Sequence, residues 1–199
     1  RRESIRALIF QGHREPAQIE ELGCVATICL SLDGNEASND KSRGKGCFQK
    51  VMKAIDAIQK QNIPCVISAT LTKDNMQDME FLAELGLAKN IRIQYSILYN
   101  TPDLKDSFSD VIMSDMEIRK TVRKILDLKK RGYPIYYSDN VLTTAINWPV
   151  SYKKRYFTNK DREFTKDLRL VYCYHGKLKY QIDADGRVVT CWARNDPDA

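Results

Sequence analysis

The 199-residue sequence lacks any run of about 18 apolar residues, the length needed to cross a bilayer, and has no apolar secretory segment near its start. Histidine is nearly absent. His13 and His175 are the only two, each read as a surface or loop residue rather than a catalyst. There is no phosphate-cradling P-loop, no dinucleotide fingerprint and no evident pairing of a nucleophile with a base. The six cysteines (Cys24, Cys29, Cys47, Cys65, Cys173 and Cys191) show no dense spacing of the kind that builds a secreted disulfide framework. A reducing, cytoplasmic setting is the matching expectation. Charge of one sign is also scarce. The formal net charge is +6, and the densest basic-aromatic run, Tyr152 to Phe157, is followed at once by Asp161, Glu163 and Asp167. That run reads as a solvated linker, so neither a nucleic acid nor a membrane is expected as a partner. The chain opens Arg1-Arg2-Glu3 without a methionine, as a trimmed chain would.

What is present is an alternation of two periods. Short apolar runs bounded by turn residues suit buried strands. They occur at Ala7–Phe10, Val25–Leu32, Cys65–Leu71, Ile91–Leu98 and Pro134–Tyr137. Cys24, Cys29, Cys47 and Cys65 lie in or beside such runs and read as core packing. Between the runs, apolar residues recur at spacings of three and four. Phe48, Val51, Met52, Ile55 and Ile58 mark one helix, and Met76, Met79, Leu82 and Leu85 a second. The second has Asp74-Asn75 as its cap and Gly86 as its stop. Ile118, Val122, Ile125 and Leu126 mark a third, ending near Gly132.

Strand–helix–strand repeats require parallel pairing through right-handed crossovers. The expected fold class is therefore α/β, a parallel sheet or part of a (β/α) barrel. Ligands in such folds gather at the carboxyl ends of the strands. That places Ser31 to Gly34, Thr70 to Asn75 and Tyr99 to Thr101 on one rim. Residues 31–44 read locally as a loop with turn residues, in which Arg43 is suited to a bidentate pair with a carboxylate. Asp74, Asp78, Glu80 and Glu84 read as a solvated acidic helix face. The pattern weakens from Asn140 to Leu170. Beyond it, Asp185-Gly186 between two strand-like runs predicts a β-hairpin over Tyr180–Cys191, with Cys191 opposite about Tyr180.

Two constellations together resemble a known family. The first is Ser31-Leu32-Asp33-Gly34, then Asn39-Asp40-Lys41-Ser42-Arg43-Gly44, a helix, and a strand ending Thr70-x4-Asn75. The second is Cys173-x12-Gly186-x4-Cys191. They resemble, respectively, the core of radical SAM enzymes and the opening of their C-terminal SPASM or twitch extension. Asn39 stands where the family often has His, and Phe10-Gln11-Gly12 where a third barrel strand often ends Thr-Asn-Gly.

The resemblance implies a partial radical SAM (β/α) barrel over residues 1–139, related to the TIM barrel but with six strands. This chain would carry strands three to six and one further strand. A connector over 140–170 and the start of a SPASM/twitch-like domain over 171–199 would follow. It implies S-adenosyl-L-methionine as cofactor, bound near Ser31, Asp33, Arg43 and Thr70. It implies reductive cleavage to a 5′-deoxyadenosyl radical and hydrogen abstraction from a peptide or protein, a tetrapyrrole or another small molecule. No catalytic residue is assigned. The CxxxCxxC triplet that holds the catalytic [4Fe–4S] cluster is absent, as is a Gly-Gly-Glu motif, so this part of the enzyme is expected to be inactive alone.

Cys173 and Cys191 would be the first two thiolates of an auxiliary cluster, a set left incomplete here. Plain thiols in a hairpin, or a zinc site with His175, remain the alternatives. The rival function is a non-enzymatic α/β binding or interaction module. If the front strands are missing, Ala7–Phe10 becomes an open sheet edge and a homodimer through it is expected.

Overall fold

Branched and apolar residues at the strand positions favour a pleated sheet buried on at least one face. Four of the expected runs form one. The computed structural model describes residues 7–10, 26–98, 110–154, 163, 181–182 and 188–189. Strands β1 (Ala7–Phe10), β2 (Thr27–Ser31), β3 (Cys65–Leu71) and β4 (Arg92–Ile97) lie side by side in chain order, every pair parallel. Parallel crossovers between sequential neighbours are almost always right-handed, a rule that would put the helices linking β2 to β3 and β3 to β4 on one face, as in a barrel wall.

The helices are α1 (Glu36–Arg43), α2 (Cys47–Lys60), α3 (Met79–Lys89), α4 (Asp115–Lys130) and α5 (Asp139–Ile146). The core is built from Ile28 and Leu30 of β2, Ile67, Ala69 and Leu71 of β3, and Ile93 and Tyr95 of β4. Val51 and Ile55 of α2, Leu82 of α3, and Ile125 and Leu128 of α4 complete it. Among the described residues no helix is long and apolar enough to cross a membrane.

Several local expectations change. Helix α1 replaces what reads as a loop. Its residues are almost all polar, so no apolar period announces it. Its ends do: the Asn35 side chain accepts from Ser38 N at 3.1 Å, and Gly44 closes it at φ 100°. Gly86 does not stop α3, which continues to Lys89 and ends at left-handed Asn90 (φ 53°). Gly86 is needed for closeness instead, because a Cβ there would lie 2.7 Å from Ile93 Cγ1. The fifth run shrinks to a single bridge, Ile93 with Ile135. The chain cannot extend further as a strand, since Ser138 already caps α5. That helix in turn occupies the start of the expected connector.

Two compact units divide the chain. The first takes the described residues up to Asn147 and the second those from Trp148 on. In the second, β5 (Gln181–Ile182) and β6 (Val188–Val189) pair antiparallel, Ile182 with Val188. A two-residue turn on Asp185-Gly186 would have paired Ile182 with Val189, so the register differs by one residue. Cys173, Cys191, His13, His175, Tyr99 to Thr101 and the turn itself lie outside the described residues.

Candidate functional site

Successive side chains of a strand alternate between faces, and parallel partners share one. Ser31 pairs with Ser68, Ser68 with Gln94, and Thr70 with Ser96. These five side chains therefore share the face opposite the helices, where all are half-buried. Across β2, β3 and β4 one face is apolar and buried, and the other carries these half-buried polar side chains. Tyr137 joins the polar face, its hydroxyl donating to Tyr95 O at 2.8 Å. Burial raises the Tyr137 pKa, against hydrogen bonds to Ser96 and Gln94 that lower it.

At the carboxyl rim of this face, Asp33 is the hub. Its carboxylate is 8% exposed and takes a forked pair from Arg43, Nε to Oδ2 at 2.6 Å and Nη2 to Oδ1 at 3.0 Å. Oδ1 also accepts from Thr70 N at 2.8 Å, and Oδ2 from Ser42 Oγ at 3.4 Å. The Asp33 backbone N–H donates to Asn39 Oδ1 at 3.1 Å. Asn39, Ser42 and Arg43 are spaced i, i+3, i+4, which puts them on one side of α1. That side grips Asp33.

The carboxylate for which Arg43 is suited is thus one of the chain's own. Both charges are spent on each other, so Asp33 and Arg43 shape the rim. The hydroxyls of Ser31 and Thr70 have no hydrogen-bond partner among the described residues. The four residues expected from the sequence do come together on one rim.

Three neighbours complete it. Asn75 is 6% exposed, and its Nδ2 donates to Asp33 O at 2.9 Å and to Thr70 O at 2.8 Å. Asn75 closes the Thr70-x4-Asn75 pattern, which was visible, but its reach across 42 residues was not. Asn35 Nδ2 donates to Asp78 Oδ1 at 2.9 Å. Asp78, expected on a solvated face, is instead 6% exposed, with Oδ2 unpartnered. It sits in the 3-10 turn Met76–Asp78 that precedes α3, a change of period that a helical-wheel reading misses.

The remaining chemistry is limited. Among the described residues no group of three or more His, Cys, Asp or Glu could hold a metal. Burial raises the pKa of Cys29, against a hydrogen bond with Ser68. Burial and then Cys29 push Cys65 up to about 12. Both stay protonated thiols at neutral pH, poor as nucleophiles and as ligands.

No family model matches the chain. Fe-coproporphyrin III synthase of Methanosarcina barkeri is 30% identical over 146 residues, 67% of this chain and 36% of that protein. Streptococcus suis SuiB bound to S-adenosylmethionine superposes with a TM-score of 0.63 at 17% identity, over 96% of this chain and 43% of its own. Native anSMEcpe with bound AdoMet and Kp18Cys peptide gives a TM-score of 0.58 at 16% identity, over 72% of this chain and 43% of its own. At those identities the solved structures show the fold alone. The chain spans less than half the length of each of these relatives.

Proposed function

We propose that this chain, of radical SAM type in sequence likeness and in fold, is the middle and rear of such an enzyme and supplies the wall on which S-adenosylmethionine rests. The observation that carries this reading is the placement of Ser31 and Thr70 on one face near the carboxyl ends of adjacent strands. They sit on adjacent strand tips of one polar face, each without a partner among the described residues. Such hydroxyls fit a polar ligand at a carboxyl rim.

In this reading Ser31 and Thr70 would hydrogen-bond the cofactor. Asp33 and Arg43 would act one step back, Asp33 fixing the Thr70 backbone and Arg43 fixing Asp33. The half-buried face below, with Ser68, Gln94 and Ser96, would line the space for a substrate. S-adenosylmethionine supplies radical chemistry when it is reductively cleaved, ending in hydrogen abstraction.

The [4Fe–4S] cluster needed for that reduction does not fit the residues described here. The chain has no CxxxCxxC, and no described group has enough ligands. The chain alone is proposed to bind without turnover. The substrate is proposed to be a peptide or protein, or a small molecule such as a tetrapyrrole; the 30% identical relative is an Fe-coproporphyrin III synthase, and one neighbour of the same fold is seen with a peptide.

Titration calorimetry of the 199-residue chain with S-adenosylmethionine tests the reading. Saturable binding is expected, weakened about tenfold or more in Ser31→Ala/Thr70→Val, because two hydrogen bonds are lost. Absence of binding, or a folded double variant that binds as the parent does, would refute it.

A further inference from the structure

We infer that Asn75 is a positioning residue: its carboxamide sets the spacing and orientation of the β2 and β3 tips, and so the aim of the Ser31 and Thr70 hydroxyls. The ligand part of this inference rests on the S-adenosylmethionine reading; the clamp itself does not.

The β2–β3 ladder ends where Ser31 meets Ser68, and Leu32 N donates back to Ser68 O at 3.1 Å. Past that point the two chains diverge, β2 into the loop before α1 and β3 on to Leu71. What holds them is a pair of complementary side chains. The Asp33 carboxylate accepts the Thr70 N–H, and Asn75 Nδ2 donates to the Thr70 carbonyl. Both polar groups of the Thr70 backbone are thereby satisfied, and its hydroxyl is left over. The same Nδ2 reaches the Asp33 carbonyl, which ties one strand tip to the other.

Asn75 Oδ1 is used as fully. It accepts from Thr72 N at 2.7 Å and Thr72 Oγ1 at 3.2 Å. A carboxamide has two N–H donors and two acceptor lone pairs, and all four are engaged. A local turn would need only the Thr72 bonds. The bond to Asp33, 42 residues away, does nothing for that turn and acts only across the rim. Buried amides with every valence used are held in one orientation, because any rotation strands a polar atom.

Asn75→Asp is the direct test. It is nearly isosteric and keeps the acceptor toward Thr72. It turns the donor into a second acceptor facing two carbonyl oxygens. Asn75→Ser, which is too short to bridge, serves if the Asp variant does not fold. The comparison is Val51→Ala, a core cavity on α2 matched for loss of melting temperature.

Amide exchange by NMR should rise about tenfold or more at Leu32 and Thr70 in the Asn75 variant, relative to mid-strand Ile67. Affinity for S-adenosylmethionine by calorimetry should fall about tenfold or more, while Val51→Ala stays within about twofold of the parent. Unchanged rim exchange overturns the clamp. Rim exchange that rises with affinity unmoved, or an equal loss of affinity in Val51→Ala, overturns the positioning role. If the parent binds no S-adenosylmethionine, the cofactor reading has failed, and rim exchange alone judges Asn75.

Discussion

Gly34 lies directly against Asp78. A Cβ built at position 34 would overlap the Asp78 carboxylate and stand 3.0 Å from Ser38 Cβ. Asn35, the next residue, donates to the same carboxylate. The turn that opens α1 is thus packed onto the turn that opens α3, with no room for a side chain between them. Gly34→Ala is expected to destabilise the chain by about 1–3 kcal/mol through overpacking. Adding Asp78→Ala should make the combined loss smaller than the sum of the two single losses. Urea unfolding of the three variants measures this. Parent-like stability of Gly34→Ala would mean that the two turns separate easily.

The Asp33–Arg43 pair offers a second measurement. Asp33→Ala strands a guanidinium that is only 21% exposed and leaves the Thr70 N–H without its acceptor. Removing one partner of a largely buried pair costs about 3 kcal/mol. Arg43→Ala should cost less, because Asp33 keeps Thr70 N and Ser42. A double-mutant cycle should return a coupling of about 1–3 kcal/mol. A coupling near zero would show that the fork is loose in solution.

The parts of this site that were legible in the sequence are those with a period or a punctuation mark. β3 was readable to the residue because Pro64 precedes it and its residues, Ser68 apart, are branched or apolar. The polar rim was legible in kind, since Ser31, Asp33 and Thr70 fall just past or near strand ends. Helix α1 was not, because Asn35 to Arg43 carries no apolar stripe, and its side chains are committed to gripping Asp33 and capping α2. The burial of Asp78 is hidden from the sequence for a related reason. Its place on a helical wheel is solvated, but it belongs to a 3-10 turn, and Gly34 and Asn35 of a distant loop cover it. Local patterns encode period, and contacts 40 residues apart leave no mark on period. The Asn75 clamp shows the same limit.

Acid should loosen the junction between α1 and α2 through Asp40. Its carboxylate accepts from Phe48 N at 2.8 Å and Gly46 N at 2.5 Å. Those backbone bonds, Phe48 foremost, hold its pKa below the usual carboxylate value, with burial opposing. A depressed folded-state value means that the contribution is present above the unfolded value of about 3.9 and is lost as pH falls through the folded one. Glu80 and Glu117 are lowered too, by Arg131 and by Ser114 respectively, so Asp40 accounts for part of the acid sensitivity. Asp40→Asn should be less stable at neutral pH and flatten the fall in urea midpoint between about pH 4 and pH 2. Identical slopes in variant and parent would exclude the role.

The edge of the sheet gives the last prediction. β1 pairs with β2 from Ala7 to Phe10, and no described strand lies on its other side. A strand edge presents a row of backbone donors and acceptors that template pairing with another chain, and charge on the edge is the usual block. β1 is short and carries Ala7, Leu8, Ile9 and Phe10 without a charge, so nothing within it blocks pairing. We therefore expect the 199-residue chain to dimerise reversibly in dilute solution through β1. Leu8→Lys/Ile9→Lys should move sedimentation toward the monomer at equal concentration. The effect requires that the sheet itself survives, which the far-ultraviolet circular dichroism of the variant reports. A parent that sediments as a monomer across the accessible concentrations would show that β1 is covered by other parts of the same chain, and the homodimer would be discarded.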